Sequence, residues 1–244
     1  MTLGARYGYT KKDRRVTPRL AVIYAPTDRT AMKFLAGQGF RRPGVYERFF
    51  ERTGDETLAP EVIQTLEFVM ERRVTPDVLL TASLFNIDLD RVLREEYGNP
   101  GFHNAGEVRS RGIELQADYR RGDGVWSYLS YTFQRASEND VPMLNSPTHL
   151  IKGGVSTPTS GSLQGALELQ YESSRQTRAG AATNNALVVN LNLTKALTPH
   201  LTLGVTVRNL FDTDYATPGG PEHVQDVIAQ DGRTFVVRLI ATGR

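Results

Sequence analysis

Ser146 and His149 lie close together in the chain. A serine beside a histidine and an orienting polar group is the minimum for nucleophilic ester hydrolysis. Yet Ser146 precedes Pro147 at a loop-to-strand junction, where serine is an ordinary turn former. His103, His149, His200 and His223 show no metal-ligand spacing. Asp212, Asp214, Asp226 and Asp231 supply oxygens, but not at calcium-loop spacing, so turn capping accounts for them better. The chain has no cysteine, which removes disulfides, thiolate metal sites and a cysteine nucleophile. No metal or cofactor is therefore expected, and no enzymatic activity. Arg41, Arg42, Tyr46 and Glu47 cluster in the longest irregular stretch. They suit either an anionic solute held by charge-assisted hydrogen bonds or a motif that pins the loop to its neighbours. His103, Arg178 and His223, in other connections, are further candidates for ligand contact.

The surrounding sequence says what must position these residues. The chain has 244 residues and a formal net charge of +2, which gives no pull toward nucleic acid. Its mean hydropathy is −0.36. No apolar run approaches the roughly 18 residues of a membrane helix. A membrane β-barrel would look the same, because alternate residues face away from lipid. After Met1 the sequence TLGARYGYTKKDRR contains no apolar core, so no secretory signal is expected within it.

Period-2 alternation dominates. Leu201, Leu203, Val205 and Val207 alternate with Thr202, Gly204 and Thr206. Leu187, Val189, Leu191 and Leu193 alternate with Asn190, Asn192 and Thr194, and Leu167, Leu169 and Tyr171 with Glu168, Gln170 and Glu172. Further strands are read at 2–9, 16–25, 30–36, 60–73, 78–89, 104–120, 125–134, 147–156 and 235–241. That predicts about twelve strands. Gln38–Ala59 reads as irregular, residues 136–146 as a loop, and Ile87–Tyr97 allows a short amphipathic helix. Short turns at Pro26, Pro76, Gly122, Pro158 and Pro199 alternate with longer loops at Lys11, Gly44, Asn99, Glu138, Gly180 and Gly219. This is the rhythm of antiparallel up-and-down strands in an outer membrane. The expected fold is all-β, an up-and-down transmembrane β-barrel. Tyr24, Trp126, Tyr128, Phe133, Phe211 and Tyr215 suit interfacial girdles.

Four stretches, in order, resemble the TonB-dependent outer-membrane receptors. Gly37-Gln38-Gly39-Phe40-Arg41-Arg42-Pro43 with Glu47 resembles that family's G-x-x-F-R-x-P element. Leu58-Ala59-Pro60-Glu61 with Glu67 resembles its L-x-P-E strand opening. Asn104-Ala105-Gly106 with Gly112-Ile113-Glu114-Leu115 resembles its N-x-G and G-I-E-L strand. Asn209-Leu210-Phe211-Asp212 with Tyr215 resembles its C-terminal end. Within that resemblance Phe40, Pro43, Pro60, Glu61, Gly112, Glu114, Asn209, Leu210, Phe211, Asp212 and Tyr215 are structural.

The resemblance implies a C-terminal barrel segment, residues 1–244, of a receptor that imports a ferric siderophore, corrinoid or similar solute. Its implied partners are outer-membrane lipid, a small-molecule cargo such as a metal chelate, and TonB. The family reaches TonB through an N-terminal portion with a plug domain and TonB box, neither of which is read here. It usually ends on an aromatic residue, whereas this sequence ends Ile240-Ala241-Thr242-Gly243-Arg244. A self-contained passive pore or adhesin, and less readily a lipid esterase, are the alternatives.

Overall fold

Alternating apolar and polar residues bounded by Gly, Pro, Asn and Asp become long strands in the computed structural model. It describes residues 1–10, 13–49, 58–96, 99–158 and 160–243. Lys11 and Lys12, residues 50–57, Tyr97, Thr159 and Arg244, which entered the sequence expectations, lie outside the described residues. The strands are β1 (Thr2–Thr10), β2 (Asp13–Thr27), β3 (Thr30–Arg41), β4 (Glu61–Thr75), β5 (Val78–Asp90), β6 (Leu93–Glu96), β7 (Asn99–Asn104), β8 (Glu107–Arg120) and β9 (Trp126–Glu138). They continue as β10 (Val141–Pro142), β11 (His149–Ser156), β12 (Leu163–Glu172), β13 (Ala186–Thr198), β14 (Leu201–Arg208), β15 (Ala216–Pro218), β16 (Val227–Ala229) and β17 (Thr234–Ala241). The one described helix is α1, Val45–Phe49.

The main sheet runs β1-β2-β3-β4-β5-β8-β9-β11-β12-β13-β14-β17, with β10 paired to β9. Sequence neighbours are sheet neighbours, so successive connections leave opposite strand ends. Within the second unit the short turns after β11 and β13 therefore share one set of ends, and the longer connections after β12 and β14 share the other. The pairs β6–β7 and β15–β16 are separate hairpins inside two of the long connections. By contact the chain divides into one unit of residues 1–70, 83–113 and 134–143, and a second of 71–82, 114–133 and 144–244.

Register in the second unit sorts residues by chemistry. Across β11 to β17 one row reads Val155, Leu167, Leu191, Val207 and Phe235. Gly165, Leu193, Val205 and Val237 form the next row. The rows between carry Ser156, Ala166, Asn192, Thr206 and Val236, and Gly154, Glu168 and Asn190. One face is thus nearly continuous hydrocarbon and the other mostly polar. The apolar face is not a packed core: Leu193, Phe235, Val237 and Leu239 are exposed at 38–69%. A sheet that leaves its aliphatic face open is built to meet hydrocarbon. On the polar face Tyr128 lies over Gly154, where any Cβ would come within 2.6 Å of the ring.

Several expectations shift. β3 runs on to Arg41 instead of ending at Ala36, and α1 occupies part of the stretch read as irregular. The strand read as Asn104–Arg120 is broken: β7 ends at Asn104, and Gly106 has φ +113° before β8 begins. Ile87–Tyr97 is not helical where described, because Ile87–Asp90 continues β5 and Leu93–Glu96 pairs with β7. Residues 136–146 are less loop than expected. Glu138 pairs with Val141 around Asn139 and Asp140, at φ +48° and +64°. Two consecutive positive φ values make the hairpin turn that Asn and Asp tolerate best.

Candidate functional site

In the first unit one arginine ties the end of β3 to α1 and β4. Arg41 Nη1 donates to Glu47 Oε1 and Oε2 at 2.8 and 3.0 Å, and its Nε donates to Glu61 Oε2. Glu47 Oε2 also accepts the Gly44 N–H at 2.6 Å. Gly44 precedes α1, so this is the reciprocal half of a capping box, in which the third helical residue reaches back to the cap. Glu61 Oε1 accepts the Leu93 N–H at 2.8 Å. The two carboxylates are 14% and 13% exposed and the arginine 52%. Arg41 is therefore the outer member of an ion-pair cluster joining β3, α1, β4 and β6.

The two neighbouring motifs finish that tie. Asn104 pairs its amide with the backbone of Ala59, accepting its N–H at 2.9 Å and donating to its carbonyl at 3.0 Å. It also donates to Arg91 O at 2.8 Å. Gly106 makes room for Asn139, because a Cβ there would lie 2.0 Å from Asn139 Oδ1. That oxygen accepts Glu107 N–H at 3.0 Å, and Asn139 Nδ2 donates to Ala105 O at 3.2 Å. Asn139 was not singled out in the sequence. Its signal was the Asn-Asp pair of a tight hairpin.

Of the ligand candidates, Arg41 and Glu47 are brought together in this cluster. Arg42 lies over the Phe40 ring, 4.9 Å from its centroid. Tyr46, on α1, is 54% exposed and stands edge-on to Phe102 at 5.9 Å. His103 is paired in register with Arg94. Arg178 and His223 belong to the second unit. Arg178 is exposed, and His223 Nδ1 accepts the Gly220 N–H at 3.2 Å. Their two connections are clasped by Asp226, whose Oδ1 accepts the Ala179 N–H at 3.0 Å. The Thr177 hydroxyl, and after it that N–H, hold the Asp226 carboxyl below the usual aspartate range. The sequence reads Asp226 as a turn cap. That it bridges two connections could not be seen from a local motif.

The C-terminal motif is a second tie. Asn209 is 3% exposed and sits at φ +50°. Its Nδ2 donates to Thr213 O at 2.8 Å and Asp231 O at 3.3 Å, and its Oδ1 accepts the Thr213 N–H at 2.8 Å. Its own N–H donates to Asn190 Oδ1 at 3.0 Å. Asp212 Oδ1 accepts the Arg233 N–H at 2.7 Å, next to the start of β17. That N–H, and less strongly the nearby guanidinium, hold the Asp212 carboxyl below its ordinary range. Leu210 donates its N–H to Val189 O at 2.7 Å, Phe211 is exposed, and the Tyr215 carbonyl accepts from Gln230. Pro43 is buried and Pro60 half-buried, while Gly112 and Glu114 lie within β8.

The His149 ring sits 6.1 Å from Tyr131 and 5.4 Å from Phe133, and its Nδ1 meets Tyr131 Oη at 2.9 Å. Among the described residues no group of three or more His, Asp or Glu is placed to hold a metal ion.

The sequence profile "TonB dependent receptor-like, beta-barrel" matches residues 1–210. A metal-pseudopaline receptor of Pseudomonas aeruginosa is 27% identical over 83% of this chain and 30% of its own length. A vitamin B12 transporter of Vibrio vulnificus is 24% identical over 82% of this chain and 33% of its own. The chain thus spans about a third of these curated relatives. The ferric-catecholate import receptor Fiu of Escherichia coli K12 superposes with a TM-score of 0.75 at 17% identity, over 94% of this chain and 35% of that one. A structure described as the copper transporter OprC gives 0.72 at 18% identity, over 94% and 40%. With its antiparallel meander, lipid-facing hydrocarbon and motif ties, the chain belongs to the TonB-dependent receptor family, whose β-barrels lie in the Gram-negative outer membrane.

Proposed function

We propose that this chain is the C-terminal part of the barrel of a receptor that takes up a metal chelate, siderophore-like or corrinoid, across the outer membrane. TonB supplies the energy. The observation that carries this is the family match over residues 1–210, together with relatives named for a metallophore and for vitamin B12. The chain contributes barrel wall and the long connections on one set of strand ends, and it performs no covalent chemistry. Arg41 and Glu47 hold the loop base. Tyr46, Arg42 and His103 from one group of connections, and Arg178 and His223 from another, are the cargo contacts.

The test is deletion of the gene, followed by accumulation of radiolabelled ferric, nickel and zinc chelates and cobalamin, with and without functional TonB. One class should drop on deletion and depend on TonB. Uptake that persists without TonB, or no change for any class, would overturn the reading.

A further inference from the structure

The hydrocarbon-facing side of β1–β5 is not flat. Leu3, Leu20 and Ala36 form one register row across β1, β2 and β3. Tyr7, Val16, Tyr24 and Phe34 alternate onto the same face and are exposed. On β4 Gln64, Leu66 and Phe68 share a face, and on β5 Leu84, Asn86 and Asp88 do. Leu66, Phe68 and Leu84 are exposed as well. Between these rows lies a groove of about 630 Å³, within the roughly 300–1,000 Å³ of sites that hold a ligand. One end is lined by Leu3, Pro18, Leu20, Ala36 and Leu66. The short side chains of Pro18 and Ala36 leave the depression between the leucines. The other end is lined by Gln38, Gln64, Asn86 and Asp88. All of these residues belong to the first unit.

Polar side chains on a face that meets hydrocarbon need partners. Gln38, Gln64 and Asp88 lie within three residues of the ends of β3, β4 and β5 that enter long connections. Long connections of an outer-membrane wall are extracellular, so these side chains stand at the level of the outer-leaflet headgroups. Asn86 Nδ2 donates to Asp88 Oδ2 at 2.5 Å, and Arg111 Nε donates to Asn86 Oδ1 at 2.8 Å. Those bonds orient two of the four. The side-chain amides of Gln38 and Gln64 make no hydrogen bond among the described residues. An amide set against lipid without a partner is costly, and a ligand that supplies one removes the cost.

We propose that this groove binds one glycolipid of the outer leaflet. An acyl chain lies along Leu3, Leu20, Ala36 and Leu66, and sugar hydroxyls at its head bond to Gln38, Gln64, Asn86 and Asp88. Continuity and chemistry choose this occupant. The groove is continuous with the lipid-facing wall, so a membrane lipid enters it without leaving the bilayer. A hydroxyl both donates and accepts, which matches amides beside a carboxylate. A phosphate only accepts, and Asp88 would repel it. The site rests on the outer-membrane location and not on the uptake reading.

The test reconstitutes the full chain in phosphatidylcholine vesicles containing lipid A with radiolabelled acyl chains, extracts it into mild detergent and measures the label that stays with it. Unlabelled lipid A should displace the label where phosphatidylglycerol and phosphatidylethanolamine do not. Lipid A stripped of its phosphates should displace it equally well. Gln38→Leu with Gln64→Leu should weaken retention by roughly fivefold per amide, about the value of one hydrogen bond. Both changes put apolar side chains on the hydrocarbon face, so the urea midpoint should hold and lost retention is not lost folding. Ala36→Phe, which fills the floor, should exclude the acyl chain, whereas Leu193→Phe on the hydrocarbon face of the second unit should leave retention unchanged. Displacement by the phospholipids as readily as by lipid A, no label retained, a need for the phosphates, or unchanged retention in both the double-leucine and the Ala36→Phe variants would overturn the site. Retention needs no TonB, so TonB-independent uptake in cells would remove the transport reading alone.

Discussion

Asn209→Ala is expected to unfasten β17 from the end of β14. The amide makes three hydrogen bonds, to Thr213 O, Asp231 O and Thr213 N–H. Each contributes about 1 kcal/mol net, and more where a buried partner is left unmade. The residue also sits at φ +50°, a conformation costing alanine roughly 1–2 kcal/mol and asparagine less. The sum is about 3–5 kcal/mol. Three substitutions separate these contributions. Asn209→Gly keeps the backbone conformation and loses the hydrogen bonds, so it should fall about 1 kcal/mol short of alanine. Asn209→Asp keeps an acceptor for the Thr213 N–H but turns a buried carboxylate oxygen onto the Thr213 and Asp231 carbonyls, and should cost at least as much as glycine. The assay is urea unfolding from lipid vesicles, read by the single tryptophan, Trp126, which packs 5.1 Å from Tyr128 in the same unit. An alanine variant within about 0.5 kcal/mol of wild type, the usual effect of an inconsequential surface change, would refute the tie.

Three further outcomes follow from the same geometry. Leu191→Arg or Leu193→Arg, on the hydrocarbon face, should cost roughly 2–4 kcal/mol near mid-membrane, and Asn190→Arg or Thr206→Arg much less; equal costs on both faces, measured by the same unfolding assay, would reverse the facing. Gly106→Ala should displace the Asn139 amide and strain a φ of +113°, destabilising by about 2–3 kcal/mol, whereas Asn139→Gly should partly rescue it. Rescue is measured as recovery of the urea midpoint. The Asp226 clasp should be insensitive to pH from neutrality down to about 4. Its folded value lies below the ordinary 3.8, so its contribution is complete above that value and is lost only as pH falls through the lowered one. Hydrogen exchange at the Ala179 amide, corrected for intrinsic rate, should quicken only in that acid range, and Asp226→Asn should abolish the step.

Strand existence, facing and the alternation of short with long connections were legible in the chain, because a strand's two faces repeat every second residue. Leu187–Thr194 announces its hydrocarbon side with no knowledge of a partner. The turns at Thr75–Asp77 and Arg121–Gly124 are equally local, since Pro, Asp and Gly set their own backbone angles. The four motifs marked family and order, yet not what their residues do. That Arg41 serves Glu47 and Glu61, that Asn104 grips Ala59, and that Gly106 is empty to admit Asn139 depend on segments 20, 45 and 33 positions apart meeting in space. The Asp226 clasp joins residues 47 positions apart. Periodicity is a property of each segment, whereas register and charge pairing belong to the contact between segments, and only the folded sheet decides them.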